Sequence, residues 1–463
     1  MENYRLCKTC LGNKYIDYGY DSKYYISEAG KKVKLRVNGN YGKPVVEKLY
    51  YLIDRYGYLD LSAIRELVVL TLLSGRRYFP KVLDIFAHGK SLHIILEYVG
   101  LTIDKYNMIN IKSIIYQLAL ALYTCNLLGI YHLDIKDKNI CINNENITLI
   151  DFGLSYFRNY ENDDRSIAYI TQYRAPENLI SDAVSEATEL WAFGCMCFYL
   201  ANDKDLFDEK SPVKIATKHQ EILGPYPEVI LKGSRTNGFE EFLPETWIFK
   251  DDYKGTGLPK YSYIPDILSS IFKFNPRERI TFKELLAHPY FDDIPNKELP
   301  VINMENELRS RYIPIKYFPS YIVSKRIKYI ERIETLVIKF KLLKRTLFLA
   351  ISLLDSLFEI ENINQELLDI YPSLCLSIAS DLLEYKPLKP GLFEPGISDA
   401  KLSNYLIDLL LKFKFDIWKV TIYDILAIRN RLDLLGEALK EIKSLIILDL
   451  NIFEITDKLI KEN

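Results

Sequence analysis

Four chemically reactive side chains fall within residues 131–153, in the segment YHLDIKDKNICINNENITLIDFG: Asp134, Lys136, Asn139 and Asp151. A carboxylate such as that of Asp134 can orient an attacking hydroxyl group and accept its proton. Amide and carboxylate oxygens can hold Mg²⁺ on phosphate groups, and a lysine can offset the negative charge that develops there. This combination of residue types and spacings favours transfer of a phosphoryl group from a metal-bound nucleotide.

The same segment resembles the catalytic loop of protein kinases. HLDIKDKN is similar to the kinase pattern HRDxKxxN, DFG begins at Asp151, twelve residues after Asn139, and APE follows at residues 175–177. One tripeptide would be weak evidence, but three motifs in the correct order and spacing are specific. The resemblance implies that Asp134 is the catalytic base and that Lys136 contacts the transferred phosphate, as is typical of serine/threonine kinases. It also implies that Asn139 and Asp151 ligate Mg²⁺.

Two further charges in the first hundred residues match this family. The resemblance assigns Lys48, in PVVEK, to the lysine of the third strand and Glu66, in SAIRE, to the glutamate of helix C; they lie eighteen residues apart, as in cyclin-dependent kinases. Residues 61–66, LSAIRE, are similar to the PSTAIRE helix, which a cyclin grips in that family. The open alternative is a solvated strand lysine and a solvated helix glutamate. The resemblance to cyclin-dependent kinases of the CMGC group covers roughly residues 20–291.

Nucleotide binding is the property in which the sequence departs most from the family. The glycine-rich loop should read GxGxxG, because glycine lets backbone amides close over phosphates. Ser27, Ala29 and Lys32 occupy the three glycine positions in ISEAGKKVKL. The resemblance still implies ATP and Mg²⁺ as cofactors. It assigns to cofactor binding the residues Ser27, Ala29, Lys48, Glu97, Val99, Asn139 and Asp151.

Regulation also departs from the family pattern. HRD has become HLD, so that Leu133 replaces an arginine that usually binds a phosphate on the activation loop. Activation by loop phosphorylation therefore loses its electrostatic basis. Glu189, in ELWAFG, stands where the family has the shorter aspartate. The resemblance also implies a structural ion pair between Glu177 and Arg279, in NPRERI.

Local patterns place these motifs on a strand-rich part followed by helices. Alternating residues predict a strand in PVVEKLYYL and a hairpin that turns at residues 88–90, whereas apolar residues three and four apart predict helices around Glu66 and over residues 111–128. The expected fold class is α+β: a bilobal protein kinase fold with a small antiparallel β-rich N-lobe carrying helix C, a larger helical C-lobe and a following all-α domain. The expected boundaries are 1–20 for an N-terminal extension, 21–100 for the N-lobe, 101–292 for the C-lobe, 293–322 for a linker and 323–463 for an all-helical domain.

The all-helical domain resembles a cyclin box. Residues 340–358, FKLLKRTLFLAISLLDSLF, are similar to the cyclin stretch FKLxxETLxLAVxxLDRFL, and Arg326 falls where cyclins have an arginine that pairs with the aspartate of that stretch, here Asp355. Asp381 and Leu406 stand where cyclins have the lysine and glutamate that bind the kinase, so the usual polar docking is expected to be missing. A linker of about thirty residues gives an effective concentration of order millimolar, so that weak contacts can suffice. A generic helical domain is the alternative.

Two classes of function are open on this basis. The first is a serine/threonine protein kinase that transfers the ATP γ-phosphate to a protein substrate and is regulated in cis, through contact between its cyclin-like domain and the kinase N-lobe. The second is a pseudokinase scaffold whose helical domain recruits a partner, motivated by the altered glycine loop and by Leu133. A third reading keeps the kinase and makes the helical domain a substrate-docking or oligomerisation module.

Composition and charge restrict the partners and the cellular compartment that can be expected. Lys and Arg total 60 against 62 Asp and Glu, a net charge of −2, so no direct nucleic-acid binding is expected. No apolar run reaches membrane-spanning length and the N-terminus lacks a signal-peptide core, so no membrane contact is expected. Seven cysteines without a dense framework indicate a soluble protein in a reducing, intracellular compartment, cytoplasm or nucleus alike. The CxxC formed by Cys7 and Cys10 has no second pair with which to hold zinc.

Overall fold

The computed structural model describes residues 4–6, 15–17, 25–26, 32–38, 44–52, 62–88, 91–105, 110–158, 173–180, 184–209, 211–227, 265–315, 320–360, 363–384, 388–444 and 451–462. Within these ranges the chain forms a β-rich lobe, a central helical lobe and a C-terminal group of helices. A sheet lobe followed by a helical lobe agrees with the expected α+β class.

A single sheet forms the β-rich lobe. Its strands are β1 (Tyr4–Leu6), β2 (Tyr15–Asp17), β3 (Tyr25–Ile26), β4 (Lys32–Asn38), β5 (Pro44–Tyr51), β6 (Val82–His88) and β7 (Ser91–Glu97). Their order is β1-β6-β7-β5-β4-β2 with β3 paired to β4, and β1 runs parallel to β6 while the other pairs are antiparallel. The predicted strand in PVVEKLYYL and the predicted hairpin are confirmed. Because β5 lies between β4 and β7, Lys48 sits opposite Val33 and Ile94 in the middle of the sheet.

Helix α1 (Ser62–Leu73) is the predicted helix that carries Glu66. Its sequence SAIRELVVLTLL is apolar on almost every side, and a helix of that kind must be covered all round. Glu66 faces β5, whereas its neighbour Arg65, about 100° around the helix, reaches the C-terminal helices. Ser62 is the first residue of the helix.

The central lobe combines helices with short strands. The helices are α2 (Ile111–Leu127), α3 (Pro176–Ile180), α4 (Glu186–Asn202), α5 (Pro212–Leu223), α6 (Pro265–Ile271) and α7 (Phe282–Leu286). The strands are β8 (Leu101–Thr102), β9 (Ile130–Tyr131), β10 (Ile140–Asn143), β11 (Asn146–Leu149) and β12 (Tyr156–Phe157). Strand β10 pairs with β8 and β11, and β12 pairs with β9. These strands hold the ends of the loops over residues 132–139 and 150–155, which contain the HLD and DFG motifs.

The C-terminal part consists of helices within the described residues. They are α8 (Met304–Arg311), α9 (Ser320–Phe340), α10 (Lys344–Phe358), α11 (Tyr371–Leu383), α12 (Asp399–Lys412), α13 (Ile422–Ile428), α14 (Leu435–Ser444) and α15 (Ile452–Glu462). Helix α11 is buried along its whole length and packs against α10, so these two form the centre of the group. Arg326 on α9 donates two hydrogen bonds to Asp355 on α10, at 2.7 and 2.6 Å, as the sequence predicts.

The segment expected as a linker, residues 293–322, is partly helical. It contains α8 and the start of α9. Asn303 caps α8, and two i,i+4 pairs, Glu305 with Arg309 at 2.8 Å and Glu307 with Arg311 at 2.7 Å, support it. Helix α8 also packs on α13, so it belongs to the C-terminal helices rather than to a free connection.

The C-terminal helices contact the β-rich lobe through helix α1. Arg65 donates from Nη2 to the backbone carbonyl oxygen of Asp381 at 2.5 Å, and Arg76 pairs with Glu307 at 2.7 Å. Residue 381 thus takes part in a polar contact with helix α1 through its backbone carbonyl oxygen, not through a lysine side chain of the family's type. A cavity of about 360 Å³ between α1, β6 and helices α9 and α10 interrupts this contact.

Two further expectations concern membranes and metals. No helix in the described ranges is both long and apolar enough to cross a bilayer. Among the same residues no three His, Cys, Asp or Glu side chains converge to hold a metal ion. Cys7 and Cys10 lie outside the described residues.

Candidate active site

An ion pair joins strand β5 to helix α1. The Nζ atom of Lys48 lies 2.5 Å from Oε1 of Glu66 and 3.5 Å from Oδ1 of Asp151. Tyr50, two residues along β5 and therefore on the same face, donates its hydroxyl to Oε2 of Glu66. A buried ion pair needs hydrogen bonds to its remaining atoms to offset the cost of leaving water, and Tyr50 supplies one. The ammonium group of Lys48 is thereby held beside Asp151.

The loop that follows β9 brings Asp134, Lys136 and Asn139 together. The Nδ2 atom of Asn139 donates to the backbone oxygen and to Oδ2 of Asp134, each at 2.8 Å, and Nζ of Lys136 lies 3.0 Å from the same Oδ2. A 3₁₀ turn over residues 137–139 gives the loop the bend that these contacts require. Because Oδ2 takes both side-chain contacts, Oδ1 of Asp134 is the oxygen available to a substrate hydroxyl.

His132 supports this loop from the interior. Its Nδ1 atom accepts the backbone N–H of Asp134 at 3.2 Å, while its Nε2 atom lies 3.1 Å from the carbonyl oxygen of Ile150 and therefore carries the proton. Burial lowers the pKa of His132, in keeping with this neutral form. Its ring meets the buried ring of Phe152 at 4.8 Å, which ties the HLD loop to the DFG motif.

Two residues of the site have left-handed backbone conformations. Leu133 has φ 66° and Asp151 has φ 63°. Such strain costs about 1–3 kcal/mol per residue and persists only where neighbouring groups impose it. For Leu133 that group is Glu189 on α4, whose two carboxylate oxygens accept the backbone N–H groups of His132 at 2.9 Å and Leu133 at 2.8 Å. The longer side chain at this position thus reaches the loop that carries Asp134.

The contribution of Glu189 to the stability of the protein depends on pH. Burial raises the pKa of its carboxyl from 4.5 to about 7, although the two N–H donors oppose the shift. A carboxyl whose folded pKa is raised adds stability that is complete below the unfolded pKa and is lost as pH rises through the folded pKa. The contribution of Glu189 to the free energy of unfolding should therefore fall between pH 4.5 and about 7.

We expect Glu189→Gln to remove this pH dependence and to destabilise the protein by about 1–3 kcal/mol, because the amide nitrogen would face an N–H donor. The measurement is urea unfolding at pH 5 and pH 8. Glu186→Gln, on the same helix, is the control for removing a carboxylate. An equal pH dependence in wild type and Glu189→Gln would contradict the assignment.

Asn139 and Asp151 offer the donor atoms that Mg²⁺ prefers. The amide nitrogen of Asn139 donates to Asp134, so the Oδ1 atom of Asn139 remains to ligate a metal ion. The carboxylate of Asp151 is partly exposed beside Lys48. Mg²⁺ commonly takes one or two protein oxygens and completes its shell with phosphate and water. The residues present therefore fit such an ion, and none of the softer ligands that select zinc or copper is needed.

The other predicted cofactor residues are placed as follows. Glu97 ends β7, and its Oε1 atom accepts the backbone N–H of Lys81 at 2.8 Å, so its carboxylate is engaged within the lobe. Val99 lies two residues further along the chain and is half-buried. Ser27 and Ala29 lie outside the described residues.

The predicted pair of Glu177 and Arg279 is confirmed. Both ends of the guanidinium donate to the carboxylate, at 2.6 Å each, and the group lies 4.9 Å from the ring centroid of Trp191. This bidentate geometry anchors the APE motif at the start of α3 to the end of the lobe.

Contacts that the sequence did not indicate surround the strand after DFG. Leu133 and Tyr156 form an apolar cluster with Tyr131 and Val184, where the family would have an arginine. Next to it, the ring of Phe157 stacks on Trp418 of the C-terminal helices, with centroids 4.2 Å apart. The contact of Tyr50 could have been predicted, because Tyr50 lies two residues from Lys48 on a strand and therefore on the same face. No feature of the sequence indicated the contact of Trp418.

Comparisons with known proteins cover the two lobes. The model of the protein kinase domain matches residues 30–291. Cell division control protein 2 homolog 2 of Trypanosoma brucei brucei is 28% identical over 296 residues, covering 59% of this chain and 83% of that protein. The probable serine/threonine-protein kinase KIN28 homolog of Encephalitozoon cuniculi is 31% identical over 246 residues, 51% of this chain and 78% of that protein. Cyclin-dependent kinase B2-2 of Arabidopsis thaliana is 26% identical over 258 residues, 51% and 81% respectively.

Proposed function

Since this chain belongs to the protein kinase family, we propose that it transfers the γ-phosphate of ATP to hydroxyl groups of proteins and that its own C-terminal helices regulate it in cis. It is a serine/threonine protein kinase. The observation that carries the proposal is the position of Lys48, whose ammonium group lies between Glu66 of helix α1 and Asp151 of DFG.

Each polar residue then has a defined task. Asp134 accepts the proton of the substrate hydroxyl, and Asn139 holds Asp134 in place. Lys136 lies close enough to Asp134 to offset charge on the transferred phosphate. Asn139 and Asp151 would hold Mg²⁺, which supplies a positive charge on the phosphate oxygens. Lys48 would contact the remaining phosphates, and Glu66 with Tyr50 keeps it oriented.

Regulation in cis is supported by the contacts of helix α1. Arg65, next to Glu66, donates to the carbonyl oxygen of Asp381 on α11, so a shift of α11 would move the helix that orients Lys48. The resemblance to a cyclin box is supported by the buried pair of Arg326 and Asp355, which links α9 to α10. In this proposal the C-terminal helices act as a covalently attached cyclin-like activator.

The second candidate is a pseudokinase scaffold whose helices recruit a partner. Leu133 favours it, because loss of the arginine at this position removes a common activating contact. The complete set of Lys48, Glu66, Asp134 and Asp151 favours the enzyme, because each has the partner that phosphoryl transfer requires.

Phosphate incorporation before and after cleavage between the domains tests both parts of the proposal. Val301 is 94% exposed just before α8, so a protease site inserted there would separate the two lobes from the C-terminal helices. We expect the intact chain to incorporate phosphate from Mg-ATP into a basic protein at a rate per molecule that does not change on dilution. After cleavage the partners are no longer tethered, and the rate per molecule should fall as the sample is diluted below roughly millimolar to micromolar concentrations.

The control is the uncleaved chain with the same insertion, assayed over the same dilution series. No incorporation by the intact chain would support the scaffold. Incorporation that is independent of dilution after cleavage would contradict activation in cis and leave the kinase assignment standing.

A further inference from the structure

The strand β12, which follows the DFG motif, is covered by the C-terminal helices. The ring of Phe157 stacks on Trp418 with centroids 4.2 Å apart and planes inclined by 25°. Phe157 is 3% exposed, so its ring is almost completely shielded from water. Stacked aromatic pairs constrain position and orientation more than aliphatic contacts do.

Arg345 on helix α10 adds a polar contact to Arg158, the residue that follows Phe157. Its Nη1 atom donates to the backbone carbonyl oxygen of Arg158 at 2.8 Å. The other side of the guanidinium binds Oδ1 of Asp424 at 2.9 and 3.1 Å, and the group lies 5.2 Å from the centroid of Trp418. A planar guanidinium held on two sides presents its remaining donor in a fixed direction.

Asp424 is itself held rigidly. It is the third residue of helix α13, and its Oδ2 atom accepts the backbone N–H of Thr421 at 3.0 Å and the Thr421 hydroxyl at 2.8 Å. This capping box fixes Asp424 at a helix start, so Arg345 and Trp418 are presented by a preorganised surface.

The other side of β12 contacts the catalytic loop. Strand β12 pairs with β9, and the backbone N–H of Arg158 donates to the carbonyl oxygen of Gly129 at 2.6 Å. Strand β9 ends at Tyr131, one residue before His132, which supports Asp134. Displacement of β12 would therefore move the strand from which the catalytic loop begins.

The apolar surroundings of β12 explain why such a support is required. Leu133 and Tyr156 pack with Tyr131 and Val184, so an apolar side chain stands where the family arginine would bind a loop phosphate.

From these contacts we propose that Trp418 and Arg345 are positioning residues that hold the activation segment at Phe157 and Arg158, in place of a phosphorylated loop residue. The proposal rests on the function proposed above for its effect on phosphate transfer. Its structural part concerns the order of β12 and does not depend on catalysis.

The test compares Trp418→Ala with Trp418→Phe in the full chain. Phenylalanine keeps a ring on Phe157, whereas alanine removes it. We expect Trp418→Ala to lower kcat/KM for a basic protein substrate about tenfold, to leave the Kd for ATP within about twofold, and to be largely rescued by Trp418→Phe. Phosphatase treatment of the wild-type chain should not lower its activity.

Phe340→Ala is the matched control, because Phe340 also packs on an aromatic ring of the C-terminal part, edge to face on Phe393 with centroids 5.4 Å apart, without contact to β12 among the described residues. It should leave kcat/KM for the protein substrate near the wild-type value. An equal loss in this control, or wild-type activity in Trp418→Ala, would overturn the proposal, as would loss of wild-type activity on phosphatase treatment.

Hydrogen exchange separates this inference from the proposed function. The amide of Arg158 should exchange at least about tenfold faster in Trp418→Ala than in wild type or Phe340→Ala, because its bond to Gly129 opens more often. Unchanged protection would overturn the inference even if the chain is an active kinase. Absence of phosphate transfer by the wild-type chain would count against the proposed function alone. The exchange result would still decide whether Trp418 holds β12.

Discussion

Asp134→Asn is expected to lower kcat for phosphate transfer to a protein hydroxyl by roughly 10²- to 10⁴-fold, the usual contribution of a positioned general base. The amide oxygen of asparagine can still accept from Asn139 and Lys136, which lie 2.8 and 3.0 Å from Oδ2 of Asp134. The loop geometry should therefore survive, while the amide nitrogen turned toward the substrate cannot take a proton. The measurement is the initial rate of incorporation over a range of substrate concentrations, with ATP binding measured separately.

Asp203→Asn is the matched control for this substitution. Asp203 is an exposed carboxylate with φ 52° at the end of α4, and asparagine accepts that left-handed conformation equally well. It should leave both kcat and ATP binding unchanged. Activity of Asp134→Asn close to that of Asp203→Asn would exclude Asp134 as the base.

Arg326→Met is expected to destabilise the C-terminal helices by about 3–5 kcal/mol, since it leaves a buried carboxylate without its charged partner. Arg326 and Asp355 are 3% and 6% exposed, and Arg326 also donates to the carbonyl oxygen of Ile442 at 2.8 Å. One substitution thus removes contacts among α9, α10 and α14. Urea unfolding followed by circular dichroism measures the loss.

Two further variants distinguish the loss of this ion pair from a general disturbance of the fold. Arg326→Met combined with Asp355→Leu removes both charges and should recover a large part of the stability, because an apolar pair of similar volume fits a buried site. Arg431→Met breaks the surface pair with Asp433, whose side chain is 61% exposed, and should barely change the unfolding midpoint. A loss in Arg326→Met no greater than in Arg431→Met would show that the buried pair contributes little.

Residues governed by local motifs were predictable from the sequence. Lys48 and Glu66 were identified by their spacing and context, and the structure places them in direct contact. The pair of Glu177 and Arg279 was predicted from the resemblance of APE and NPRERI to two kinase motifs, and the structure places the two side chains in contact. Tyr50 was missed although strand periodicity places it on the face of Lys48, since hydrophobic patterning treats a buried tyrosine as core.

Contacts between distant segments were not predictable in the same manner. Asp381 was expected to lose a docking bond because its side chain differs from the family, but its backbone carbonyl accepts Arg65, and a carbonyl has no signature in the sequence. The stacking of Phe157 on Trp418 depends on how two separately folded parts meet. Helix α8 was hidden by the prolines around it, although its pairs of Glu305 with Arg309 and Glu307 with Arg311 are local signals.

The contact of Phe157 with Trp418 also determines when, during synthesis of the chain, strand β12 becomes covered. A ribosome adds roughly 5–20 residues per second, so the stretch of about 130 residues between the end of the central lobe and Trp418 takes about 6–25 s to synthesise. During that interval the two lobes have left the ribosome but β12 has nothing to cover it. Each newly made molecule would thus pass through a period in which β12, and the strand β9 paired with it, lack the support of Trp418.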